Sequence, residues 1–276
     1  MNWLYQLNLE KFLLFTLVLT RVSGLTMTAP IYGTKDVPIR IRALLAVALA
    51  LLIAPTQWHV AVAYPGTIVN YLVFLGSELM IGVCLGLGIV ILFSGIQLAG
   101  QMIGRVSGLL LADVFDPTSG ESVPTFSQVL FLVALAVFVC IGGHRMVMAG
   151  LLDTFQGIPP GSFTPWDVPA FQTVSGSTGP LHGSIAGTLV LLLQQSFELG
   201  IRASVPVVTA VLLSILVLGL IGRTMPQFNI LMVGFGFNSM LALALMSLTL
   251  GASVWAFQEQ IEPTLQTLFD ALHAYL

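Results

Sequence analysis

Between residues 43 and 104 the only charged side chain is Glu78, and no charge at all occurs over residues 122–144, 168–197, 203–222 or 224–258. That pattern constrains the fold more than any motif in the chain. A water-facing surface draws on about 25% charged residues. Here the charged fraction is 8%, the hydrophobic fraction 57% and the mean hydropathy +0.98. A helix needs about 20 apolar residues to cross a bilayer core, and several stretches supply them. Lipid offers no partner to backbone N–H and C=O groups, so such segments are helices and not open sheet. The expected fold class is an all-α polytopic membrane protein with strand content near zero.

Apolar runs cover residues 12–29, 43–55, 67–98, 126–142, 183–221 and 228–257. They predict about six long helices arranged in hairpins, with short extra helices. The third and fifth exceed one straight span. The fifth contains Glu198, Arg202 and Pro206 and is expected to bend at the proline, which removes a backbone donor. Residues 113–124, DVFDPTSGESVP, form a polar insertion. Residues 158–180 are rich in Pro, Gly, Ser and Thr and mark a boundary between an N-terminal four-helix part and a C-terminal helix pair. Lys35, Arg40 and Arg42, then Arg105, then Arg223, put the loops after runs one, three and five in the cytoplasm, with Arg145 dissenting. Residues 1–10 lack a basic n-region, so the first run reads as a retained span.

Few residues are candidates for chemistry. Glu78 is a lone carboxylate in a long apolar helix, where a charge costs roughly 2.5–3.5 kcal/mol on insertion scales. It reads as a pore lining, a proton-coupled site, or a hydrogen-bonded side chain packed against a partner. Glu198 and Arg202 stand four apart in the favourable order for a helical ion pair, internal or between subunits. Gly82 with Gly86, and Gly100, Gly104 and Gly108 in series, are stripes that let membrane helices approach closely. The second stripe runs into Leu109, Leu110 and Leu111 and then the polar insertion. It reads either as a movable constriction or as a plain helix end before the Asp116-Pro117 turn.

Enzyme readings lack a constellation. There is no HExxH, no nucleophile elbow, no P-loop and no dinucleotide fingerprint. His59, His144, His182 and His273 never pair at ligand spacing, so no metal or cofactor is expected. Cys84 and Cys140 lie in apolar runs and read as small hydrophobes. A net charge of −3 without a basic run gives no ground for a nucleic-acid partner.

The order of these features resembles the FliR family, the flagellar members of the type III export-gate proteins (SctT in injectisomes). The resemblance runs almost end to end. It begins with Arg21 and TAPIYGTKDVPIRIRALLA at 28–46. It continues through GSELMIGVCLGLG at 76–88, AGQMIGRVSGLLLADVFDP at 99–117 and GGHRMVMAGLLDTFQGIPPG at 142–161. It closes with ASVPVVTAVLLSILVLGLIGRTMPQFNILMVGFGF at 203–237, which contains Arg223, Pro226 and Gln227.

That resemblance implies a core subunit of a flagellar export gate in the bacterial inner membrane, at the basal body. FliP and FliQ would be its partners in a closed helical channel, FlhB and FlhA its neighbours, and unfolded flagellar proteins its substrates. Residues 1–180 would be a FliP-like part and 181–276 a FliQ-like hairpin with a tail. Residues 108–122, including Gly108, Leu109, Leu110, Leu111, Val114, Phe115, Asp116 and Pro117, would plug the channel. Asp113 and Val114 stand where the family leads one to expect an uncharged residue and an aromatic. Arg21, Glu78, Glu198, Arg202, Arg223 and Gln227 would be subunit contacts or buried polar groups. A secondary transporter with a site at Glu78 or at a broken fifth helix is the competing reading. A scaffold that only closes the assembly is another.

Overall fold

The computed structural model describes residues 2–30, 32–33, 37–59, 66–108, 125–162, 185–225 and 230–273. Among these the secondary structure is helical: α1 (Asn2–Thr28), α2 (Ile39–Ile53) with a 3-10 turn (Ala54–Gln57), α3 (Ile68–Val106), α4 (Thr125–Ile141), α5 (Gly143–Gly157), α6 (Ile185–Thr224) and α7 (Ile230–His273). Five helical segments are long and apolar enough to cross a membrane, and the α4–α5 pair adds a sixth if it counts as one span. Among the described residues, seven α-helices and one 3-10 turn make up five or six membrane-length elements, in line with the expected six or so long helices and short extra ones.

Local chemistry sets the breaks. Pro38 precedes the first turn of α2, and Pro55 tightens its end into the 3-10 turn. Thr67 Oγ1 accepts the Asn70 N–H at 3.3 Å at the start of α3. Gly142, at φ +84°, separates α4 from α5 in a conformation that side chains with a Cβ disfavour. The helix continues through Pro206 in α6 and through Pro263 in α7. From Ile185 on, the fifth apolar run is therefore one continuous helical element.

The chain packs as two compact units. The first comprises Met1–Val90, Gly142–Leu192 and Pro263–Leu276; the second comprises Ile91–Ile141 and Leu193–Glu262.

In the first unit, α1 and the beginning of α3 run parallel. Thr16 hydrogen-bonds Tyr71, Arg21 meets Glu78, and Thr28 lies against Gly86. The antiparallel α2 returns the chain between them and buries Ala46, Ala50 and Ile53. Close approach depends on glycine. A Cβ on Gly24 would sit 2.8 Å from the Leu79 carbonyl oxygen, and one on Gly82 would strike the carbonyl of Arg21. Gly86 likewise receives the Thr28 side chain. The end of α7 also belongs here, with Leu268 against Gly88 and Phe269 against Gly150.

In the second unit, Phe93 of α3 is the aromatic centre. Its ring lies edge-on to Phe131 and Phe138 of α4 and Phe257 of α7, with centroids 5.4–5.7 Å apart. The α6 helix lies against α3 through small residues. Ser196 Oγ donates to the Ile91 carbonyl at 2.7 Å, where Ser94 Oγ also donates at 2.6 Å, and a Cβ on Gly200 would lie 2.6 Å from the Gly95 carbonyl oxygen. This is the small-residue packing by which membrane helices associate. The α6–α7 pair is antiparallel, joined by Ser214 Oγ to Asn238 Oδ1 at 2.7 Å and by Leu218 beside Gly234. Leu212, Leu213, Leu216 and Leu220 of α6 and Phe237, Met240, Leu243 and Leu248 of α7 face outward.

Candidate gate base and buried ion pair

Arg21 and Glu78 are each 0% exposed. Arg21 Nε donates to Glu78 Oε2 at 2.6 Å. One terminal nitrogen, Nη1, donates to the Thr154 carbonyl at 2.9 Å and reaches Thr154 Oγ1 at 3.4 Å. The other, Nη2, donates to the Ile158 carbonyl at 3.0 Å. The second carboxylate oxygen of Glu78 accepts the Gly161 N–H at 2.9 Å. Phe155 covers the guanidinium, its ring centroid 4.3 Å from Cζ. The two acceptors on the α5 side are carbonyls at and just beyond its last turn, where a cation offsets the negative end of the helix. Each ion therefore has its partner and its remaining hydrogen bonds, the condition under which a buried pair is tolerated.

Of the two roles expected for Glu78, a subunit contact or a buried polar group, the described residues bear on the second: it meets Arg21 of its own chain and is fully buried. Glu78 was conspicuous in the sequence as an isolated charge, and Arg21 as the start of the family resemblance. Thr154, Phe155, Ile158 and Gly161 were not distinguishable from ordinary helix-end residues.

Glu198 and Arg202 form the expected ion pair at 2.6 Å on α6, with side chains 56% and 72% exposed respectively. The pair is outward-facing and not internal. Arg223 is exposed in the last turn of α6, and Gln227 lies outside the described residues. Cys140 is exposed and not buried, and Cys84 is half-buried.

Of the expected plug, Gly108 is described, while Leu109, Leu110, Leu111, Val114, Phe115, Asp116 and Pro117 lie outside the described residues. The base of that segment is defined at both ends. Gly100 and Gly104 fall within the continuous α3, which ends at Val106, and Gly108 follows at φ +83°. Gly104 is buried, and its carbonyl accepts Ser107 Oγ at 3.0 Å. On the return, α4 lies directly on Gly100: a Cβ there would be 2.6 Å from the Ser127 nitrogen. Ser127 Oγ donates to the Gln97 carbonyl at 3.0 Å. The chain thus leaves α3 at its end and comes back to the same helix about two turns earlier.

An all-helical chain with membrane-length apolar helices, whose interior charges are neutralised within the fold, is a polytopic membrane protein. This chain belongs to the FliR family of bacterial export proteins: the model of "Bacterial export proteins, family 1" matches residues 12–264. Similar relatives carry the same name. The flagellar biosynthetic protein FliR of Escherichia coli K12 is 30% identical over 251 residues, 89% of this chain and 85% of its own. That of Pectobacterium carotovorum is 31% identical over 215 residues, 78% of this chain and 76% of its own. That of Bacillus subtilis is 26% identical over 228 residues, 82% of each. With its apolar helices, this makes the chain a protein of the bacterial inner membrane and of flagellar export.

Proposed function

We propose that this chain is a core subunit of the flagellar type III export gate, closing a helical channel with FliP and FliQ subunits. Residues 108–122 plug that channel at rest and move aside for unfolded flagellar proteins, and FlhB and FlhA adjoin it in the export apparatus. The observation that supports the reading is the base of the segment: α3 ends at Val106 with Gly108 following at φ +83°, and the start of α4 packs back on the same helix at Gly100. Residues 1–180 act as the FliP-like part and 181–276 as the FliQ-like hairpin. The antiparallel α6–α7 pair, clasped by Ser214 and Asn238, supports the latter.

Glu198 and Arg202 serve as subunit contacts in this reading. They are paired yet outward-facing, and unlike Glu78 they retain surface for a neighbour. A transporter site at Glu78 is disfavoured because both carboxylate oxygens are already engaged inside the chain. The direct test of assembly is co-expression with FliP and FliQ, detergent extraction and native mass spectrometry. A discrete three-component complex is expected. A monomer or homodimer indifferent to both partners would overturn the proposal.

A further inference from the structure

The α6 helix has 40 residues, about 60 Å of length and twice the thickness of a bilayer's hydrocarbon core. It can therefore sit in a bilayer at several depths, and the second unit carries the markers that choose among them. Residues 203–222 hold no charge. They are bounded by Arg202, 72% exposed, and by Arg223, also exposed. Those two residues stand about 30 Å apart along the helix, one core thickness. Between them the outward side chains include Val205, Leu212, Leu213, Leu216 and Leu220. Exposed hydroxyls bond back to their own helices: Thr209 Oγ1 donates to the Val205 carbonyl at 2.8 Å, and Ser247 Oγ of α7 to the Ala244 carbonyl at 2.7 Å. Hydrocarbon surroundings demand such internal partners.

The neighbouring helices of that unit place polar and interfacial groups at the Arg202 boundary. The contacts of Ser214 with Asn238 and of Leu218 with Gly234 set an antiparallel register in which Trp255 is level with Phe197. A second route agrees. Phe257 meets Phe93, and Ser196 Oγ donates to the Ile91 carbonyl on the same turn of α3. Trp255 is 64% exposed, and tryptophan favours the headgroup level. Gln194 and Glu198 of α6 and Gln258, Glu259 and Glu262 of α7 are exposed at that level or beyond it. On α3, which runs parallel to α6, Met102 Sδ accepts Ser204 Oγ at 3.6 Å. Arg105 follows one turn later and is exposed. Its Cα–Cβ bond tilts toward the start of α3, and so toward the Arg202 level, which a long cationic side chain reaches.

We propose that the α6–α7 hairpin crosses the bilayer through residues 203–222 and 230–249, with lipid acyl chains against the outward faces of both helices. Arg105, Arg202 and Trp255 lie at one headgroup layer and Arg223 at the other. The midplane falls at Leu212 and Leu213 of α6 and at Met240 of α7, not at the middle of either helix. Residues 193–201 and 255–262 lie in and beyond the headgroup layer. A neighbouring subunit at Glu198 and Arg202 then meets the ion pair outside hydrocarbon, where a charge is far less costly.

Spin labels on the full chain in liposomes of phosphatidylethanolamine and phosphatidylglycerol test this, with Cys84→Ser and Cys140→Ser removing the native thiols. Phe197→Cys, Val205→Cys, Leu212→Cys and Leu220→Cys sample the outward face of α6; Met240→Cys and Leu248→Cys sample that of α7. The ratio of collisions with oxygen, which concentrates among acyl chains, to collisions with a water-soluble nickel chelate reports depth. The ratio should peak at Leu212 and at Met240 and be lowest at Phe197. A peak at Val205 and Leu248, the level of the middle of α6, is a shift of about 12 Å and would overturn the placement. Low collision rates with both reagents at Leu212 and Met240 would mean that protein covers these faces, and would overturn lipid as their occupant. The two helices read one depth separately, so a variant that fails to fold leaves the test standing.

Discussion

The guanidinium of Arg21 on α1 and the carboxylate of Glu78 on α3 are held 2.6 Å apart, with neither side chain reaching the surface. The pair fixes the parallel register of the two helices and ties both to the end of α5. Removing one partner leaves the other charged and uncompensated, which costs about 3–5 kcal/mol. Arg21→Ala should therefore lower the unfolding midpoint sharply in a detergent titration. The double variant Arg21→Met with Glu78→Leu should recover much of the loss, since no lone charge remains. A double variant as unstable as the single one would show that the hydrogen bonds to Thr154, Ile158 and Gly161, and not charge balance, hold this node.

Glycine at the helix contacts has a graded prediction. Gly82→Ala drives a methyl into the Arg21 carbonyl and Gly100→Ala into the backbone of Ser127. Each should cost about 1–3 kcal/mol, the usual range for overpacking. A Cβ on Gly219 meets nothing within 4 Å, so Gly219→Ala should be neutral or stabilising by about 0.5–1 kcal/mol in the isolated chain. Equal losses at all three sites would contradict the close-packed contacts.

For Glu198 and Arg202 the expected effect depends on assembly. Removing either from the isolated chain should change stability by less than about 0.5 kcal/mol, because an exposed pair four residues apart contributes little. Impaired complex formation with unaltered chain stability would mark the pair as a subunit contact. Normal assembly of both alanine variants would remove that role.

The α6–α7 hairpin should respond modestly to Ser214→Ala, by about 0.6 kcal/mol, the average of interhelical side-chain hydrogen bonds in membranes. A loss several times larger in thermal unfolding would mean that Ser214 supports more than Asn238.

Much of this architecture is legible in the sequence because lipid leaves only helices available to long charge-free runs. The run over residues 12–29 became α1, and the polar insertion at 113–124 fell between α3 and α4. Gly100 and Gly104, read as part of a stripe for close helix approach, lie within α3, and α4 packs over Gly100. One boundary was harder to see. In the sequence the last apolar run ends at Phe257, before a tail. It stays helical to His273, with Ile261, Leu265 and Leu268 buried at helical spacing, a periodicity that was present to be read. The Arg21–Glu78 pairing was not legible, since its partners meet only through the register of α1 against α3. Membrane cost marked Glu78 as unusual but did not say where its neutraliser stood.

The central claim is that residues 108–122 keep an assembled export gate closed. The most direct measurement is ion conductance of the purified complex with FliP and FliQ in planar bilayers, comparing the unaltered chain with one in which Leu109, Leu110 and Leu111 are replaced by glycine. The expected result is a tight wild-type complex and a persistent leak in the variant, at equal complex yield. A variant complex as ion-tight as the wild type would contradict the plug and leave the chain as a scaffold that closes the assembly without gating it.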